Sequence, residues 1–256
     1  PLPAELSRAE SVMWEHPDSA LSILRSMPQS SLSIGKNYAT WALLLAQARD
    51  KVYGKRLPDS LNIPSSDKLV QDAMDYFEKE GDLKRMAQTY YYKGQLLKDQ
   101  KKITEAMPFF LKSKEMMTKL DEPLFTYLIC QSLGNMYRYQ DLYEESLVQL
   151  KDAYQYALRS GNGERISYAL SELGRTYVHK NEMDSALFYF GKSLDNAQRL
   201  GNIELEAMAM GELGVVYNKL SQGEKALHYT RKELDLCLQI SSLHKLCLLY
   251  TSPSPR

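Results

Sequence analysis

A 40-residue period runs through this chain and leaves few folds open to it. The segments SLGNMYRYQ, ELGRTYVHK and ELGVVYNKL align on Leu-Gly-x-x-Tyr, which places glycines at 134, 174 and 214, with Gly94 one period earlier. Twelve residues after each glycine comes a small side chain: Ala106, Ser146, Ala186 and Ala226. Four residues further on stand Phe110, Leu150, Phe190 and Thr230. Polar pairs recur at one phase as well: Gly81-Asp82, Asp121-Glu122, Gly161-Asn162, Gly201-Asn202 and Ser241-Ser242.

Within one period the apolar residues fall twice at helical spacing. Leu170, Leu173 and Tyr177 form one stripe, Ala186, Leu187, Phe190 and Leu194 the next, and KNEMD separates them. Each period is therefore predicted to be a helix hairpin, and the whole an all-α right-handed solenoid of about six antiparallel hairpins. A glycine inside a helix costs roughly 1 kcal/mol relative to alanine. Gly94, Gly134, Gly174 and Gly214 are thus expected, buried, where two helices approach too closely for a side chain, with Ala106, Ala186 and Ala226 as small partners. Gly161 and Gly201 read as helix ends in which glycine takes a positive φ. If Thr104 caps the helix that contains Pro108, the proline removes only its first internal bond and bends rather than breaks it.

Residues 1–80 read as less regular hairpins. HPDSALSILRSM repeats the Asp-Ser-Ala-Leu of MDSALFYFGKS, so Ala20 matches Ala186 and Leu24 matches Phe190. YATWALLLAQARD puts Ala42 in the glycine position, with Asp67–Glu80 as its partner helix. Between them, KVYGKRLPDSLNIPSS (residues 51–66) carries Gly54, Pro58 and Pro64 and reads as an inserted loop. Four regular units fill 81–242. The period then requires a new helix near 243, but Pro253 and Pro255 fall where its interior should be. Residues 243–256 are therefore expected to be the truncated start of a further helix with a non-native tail from about 249, resembling translated sequencing-adapter sequence. The last apolar face would then be open to self-association.

The pattern resembles the tetratricopeptide repeat (TPR) over nearly the whole chain, best in Leu170, Leu173, Gly174, Tyr177, Ala186, Phe190 and Ser193. The period of 40 exceeds the family's usual ~34, and the closing proline is replaced by Gly/Asp-Asn/Asp turns. More narrowly, PDSALSIL, LLLAQARDK and DYFEKEGDLKRMAQTYYYKG resemble one group of bacterial tetratricopeptide proteins. In that group an export or lipoprotein signal often precedes the repeats, and a membrane helix with a DNA-binding or signalling segment often follows. The resemblance implies the interaction part of a larger bacterial regulatory protein, with the cell envelope or periplasm as compartment and the cytoplasm as the alternative.

Charge and chemistry narrow the function. Lys+Arg and Asp+Glu are 32 each, a formal net charge of zero, which argues against nucleic-acid binding by this segment. No apolar run reaches the ~20 residues of a membrane span. Cys130, Cys237 and Cys247 are too widely spaced for a metal pair or disulfide framework and read as small buried hydrophobes. His179 with Glu182 and Asp184 reads as a charged turn, GNGER (161–165) follows a helix rather than a strand, and KDQKK (98–102) reads as a solvated turn. No nucleophile elbow or framed acid pair is present. No catalytic residue, metal or cofactor is expected, and the chain reads as a binding module rather than an enzyme.

Tetratricopeptide proteins line their concave face with the first helix of each hairpin. Counted from the glycine, the residues that would face inward are Tyr91, Tyr92, Gln95 and Lys98, then Gln131, Asn135, Arg138 and Tyr139. Tyr168, Glu172, Arg175 and His179 follow, then Met208, Glu212, Val215 and Asn218. Amides bond an extended peptide backbone, arginine forks onto carboxylates, and tyrosine offers a rigid amphipathic surface. A protein or peptide ligand is expected, centred on Tyr92, Asn135, Arg138 and Arg175. The lysine/asparagine clamp of chaperone-binding relatives is not reproduced; Asn135 alone occupies a comparable place. A passive assembly scaffold for an envelope or cytoplasmic complex is the alternative.

Overall fold

The computed structural model describes residues 2–28, 32, 35–53 and 65–251. Among the described residues twelve helices form six successive hairpins, as the period predicts. They are α1 (Ala4–Val12), α2 (Pro17–Ser26), α3 (Lys36–Tyr53), α4 (Ser66–Glu80), α5 (Leu83–Asp99) and α6 (Ile103–Lys119), then α7 (Pro123–Tyr139), α8 (Tyr143–Ser160), α9 (Gly163–His179), α10 (Met183–Leu200), α11 (Ile203–Lys219) and α12 (Gly223–Thr251). Among the described residues there is no strand, and no helix is long and apolar enough to cross a membrane.

Packing divides the chain between Phe125 and Thr126, inside α7. In the first unit each helix from α1 to α6 packs on the next, and α3 also touches α1 and α5. Trp41 Nε1 donates to the Leu24 carbonyl at 2.9 Å, which pins α3 to α2 in a buried site. In the second unit α8 to α12 pack each on the next, and α9 reaches α11. Residues 54–64, most of the expected inserted loop, lie outside the described residues; 51–53 belong to α3 and Ser66 opens α4.

Backbone conformation beats at half the sequence period. Gly81, Asp121, Gly161 and Gly201 take positive φ between hairpins, and Lys101, Asp141, Asn181 and Ser221 take it within them. These eight residues are evenly spaced, one left-handed residue closing each helix from α4 to α11. At Asn181 the amide donates to the Val178 carbonyl at 3.1 Å and the next amide, of Glu182, to Tyr177 at 2.9 Å. That pair of bonds satisfies carbonyls a helix end would otherwise leave open. Asp82, Asn162 and Asn202 then cap the following helices, accepting from Arg85, Arg165 and Leu205 amides.

The repeat glycines are all buried notches, but the partner differs from the expected one. A Cβ on Gly174 would lie 2.5 Å from the Phe190 ring, one on Gly134 2.5 Å from Leu150, and one on Gly94 3.0 Å from Phe110. At Gly214 the nearest atom is Thr230 Oγ1, at 3.0 Å. The residue sixteen after each glycine therefore fills the notch, while Ala106, Ala186 and Ala226 pack beside it. Upstream, Ala20, Leu24 and Ala42 are fully buried, as their register requires.

Three expectations are corrected. Lys102, not Thr104, precedes α6, so Pro108 sits well inside the helix and removes a later bond than the first. Secondly, the turn and new helix expected at Ser241–Ser242 do not form, and α12 runs on to Thr251. Neither Ser241 nor Ser242 takes the left-handed conformation that closes each helix from α4 to α11. Thirdly, Cys130 is buried as expected but Cys237 is exposed. Residues 252–256, with Pro253 and Pro255, lie outside the described residues.

Candidate functional site

The expected inward-facing residues separate by unit. In the first unit, Tyr91 and Tyr92 are core residues, exposed by only 4% and 3%. Tyr91 packs edge-on against Tyr92, Phe110 and Phe125, and burial pushes the Tyr92 phenol well above its ordinary pKa. These tyrosines are therefore not groove-lining surface; Tyr91 packs on the Phe110 ring that fills the Gly94 notch. Gln95 is half-buried and donates to the Tyr91 hydroxyl at 3.1 Å, while Lys98 donates to Gln95.

In the second unit the charged residues form a ladder. Arg138 Nη1 on α7 meets Glu172 Oε2 on α9 at 2.7 Å, and Arg175 Nη1 meets the other oxygen of Glu172 at 2.7 Å. Arg175 Nη2 then reaches Glu212 Oε1 on α11 at 2.5 Å. Arg138 and Glu172 keep only 7% and 10% of their side chains exposed. Charges taken that far from water persist only when paired and hydrogen-bonded, and Arg138 also donates to the Glu172 carbonyl and to Thr176 Oγ1. Arg138 is thereby committed inside the protein rather than offered to a ligand. Glu212 is less well served: both its oxygens are buried without a well-aligned hydrogen bond. Burial pushes its carboxyl above the usual range, against the opposing pull of Arg175 and Ser171.

Beyond the ladder lies an open pocket of about 410 Å³ lined by α9, α10, α11 and α12. Val178, Phe190, Met208 and Val215 supply apolar wall, and Arg175, His179, Glu212 and Glu233 supply polar groups. Arg175 and His179 were expected here together, as were Met208, Glu212 and Val215. Val178, Phe190, Gly211 and Glu233 were missed, although Gly211 and Glu233 are legible as departures from the repeat. Gln131 is half-buried beside the Tyr127 phenol, and Asn135 Oδ1 is buried without a partner. Tyr168 and Tyr139, by contrast, are exposed. Among the described residues no group of His, Cys, Asp or Glu is arranged to hold a metal.

No family model and no curated protein matches the chain. Solved structures do. The apo form of RapI matches with a TM-score of 0.75 at 15% identity, over 93% of this chain and 66% of that one. A signal transduction ATPase with numerous domains and a tetratricopeptide repeat sensor, from Pyrococcus horikoshii, matches with a TM-score of 0.68 at 18% identity, over 87% of this chain and 34% of that one. The Rap conjugation gene regulator of plasmid pLS20, in complex with the Phr* peptide, matches at 0.51 and 16%, over 99% and 82%. The chain thus spans about two thirds of RapI and one third of the ATPase. These likenesses establish the fold.

Proposed function

We propose that this tetratricopeptide-type helical repeat binds an extended peptide or protein segment in the groove of its second unit, as the sensing part of a larger bacterial regulatory protein. The observation that carries the reading is the open pocket walled by α9 and α11, with exposed Val215 and half-buried Met208 beside paired and unpaired charges. Apolar wall with a few placed polar groups is the usual composition of a recognition site. The sensor role draws support from the neighbours: one is a repeat sensor in a multidomain ATPase, another a regulator solved with a peptide.

Peptides selected from a randomised display library on the purified chain test the reading. They are expected to lose about 10-fold or more in affinity on Val215→Glu and on Met208→Glu, with helicity unchanged by circular dichroism. Peptides indifferent to both, yet weakened by Lys192→Glu beside exposed Phe188 on α10, would overturn it in favour of an assembly scaffold.

A further inference from the structure

The last hairpin breaks the repeat at two positions that face each other. In the hairpin before it, Ser171 and Ser193 are buried and share a hydrogen bond of 3.1 Å, and Ser193 also donates to the Ser167 carbonyl. Ser113 makes the same bond to the Ala87 carbonyl two units earlier. One period after Ser171 and Ser193 stand Gly211 and Glu233. The glycine removes a side chain, and the glutamate lies over the gap: a Cβ on Gly211 would fall 2.5 Å from Glu233 Oε1. Both residues line the pocket, so the pocket exists where the serine pair has been replaced.

Charge decides what the pocket suits. Two arginines, Arg138 and Arg175, are outnumbered by three carboxylates in and beside the pocket, Glu172, Glu212 and Glu233. The arginines hold Glu172 and Glu212; among the described residues Glu233 has no cationic partner. Beside it lies the apolar wall of Val178, Phe190, Met208 and Val215. One uncompensated carboxylate above apolar wall complements a side chain with an aliphatic stem and a cationic head. An acidic anchor would instead add a fourth negative charge against two arginines.

We propose that this pocket seats a lysine or arginine side chain of the bound peptide, its head on Glu233 and its stem on Met208 and Val215. The assignment rests on the peptide-binding reading above and adds the chemistry of the anchor. The probe is the same randomised peptide display library, with the selected peptides remade with each basic residue changed to glutamine. The selected pool is expected to share one basic position, whose replacement weakens binding about 10-fold or more. Glu233→Gln should cause the same loss for the basic peptide and none for its glutamine version, a coupling that independent effects do not give. The double change Gly211→Ser with Glu233→Ser rebuilds the pairing of the preceding hairpin and should remove the basic preference without lowering the unfolding midpoint. A pool lacking a basic residue, or strictly additive losses, would overturn the proposal. Binding that falls on Val215→Glu but ignores Glu233→Gln overturns the anchor and leaves peptide binding standing. Binding indifferent to Val215→Glu, Met208→Glu and Glu233→Gln overturns both.

Discussion

Single residues in this chain are set by a register that reuses one position for different ends. Gly174 and Gly214 are equivalent, yet the first faces the buried Phe190 ring at 2.5 Å and the second the exposed Thr230 hydroxyl at 3.0 Å. Gly174→Ala is expected to overpack and cost about 1–3 kcal/mol, whereas Gly214→Ala gains most of the roughly 1 kcal/mol of helix propensity because Thr230 can turn aside. Thermal melts of the two variants that shift the same way would refute this account of the notches. Glu212 makes a second case. Its carboxyl binds a proton more tightly in the folded chain than the ordinary value of 4.5, because burial dominates. The folded state then holds more protons than the unfolded one as pH rises from that value, so this residue's contribution to stability declines with pH. Urea unfolding of wild type and Glu212→Gln should show the wild type losing ground as pH rises above 4.5. A stability difference that is flat, or grows with pH, would contradict the sign.

Individual helices show what pattern reading reached and what it did not. The 40-residue register found α5 to α11 and the buried glycines of α5, α7, α9 and α11, because core periodicity is written in residue type. The left-handed residues within hairpins, Lys101, Asp141, Asn181 and Ser221, share a phase but no chemistry, so nothing in composition marks them. Tyr91 and Tyr92 were read as surface because offset from a glycine fixes a face only to within about one residue in a helix turn, and large rings turn toward whatever space is open. The α12 continuation through Ser241–Ser242 was missed because a polar pair at the phase of the earlier turns resembles one whether or not the backbone turns there. In α6, Pro108 lies inside a helix that remains continuous from Ile103 to Lys119. It is exposed, so Pro108→Ala restores a backbone donor without crowding the core. A rise in stability of about 1–3 kcal/mol in denaturant titration is expected; no change would mean that α6 accommodates the ring without strain.

Over the whole molecule, the even spacing of left-handed residues makes the hairpin commensurate with its neighbours at both ends. Gly161-Asn162 and Gly201-Asn202 are the same turn with the same amide capped three residues on. Glu172 and Glu212 stand at one phase, as do Leu173 and Leu213, and Gly174 with Phe190 leaves as a complete contact. Cutting out Gly163–Asn202 would join Asn162 directly to Ile203, recreate the Gly-Asn-Ile-Glu-Leu turn, and present Glu212 to Arg138 in place of Glu172. Such a shortened chain is expected to stay helical and unfold in one cooperative step, while removal of Gly163–Lys192, which is not a whole period, should melt without cooperativity. The hairpin is thus an interchangeable cassette, and the length of this protein is free to drift by whole cassettes over generations, but a loss of Gly163–Asn202 would take Arg175, Val178, His179 and Phe190 out of the pocket wall.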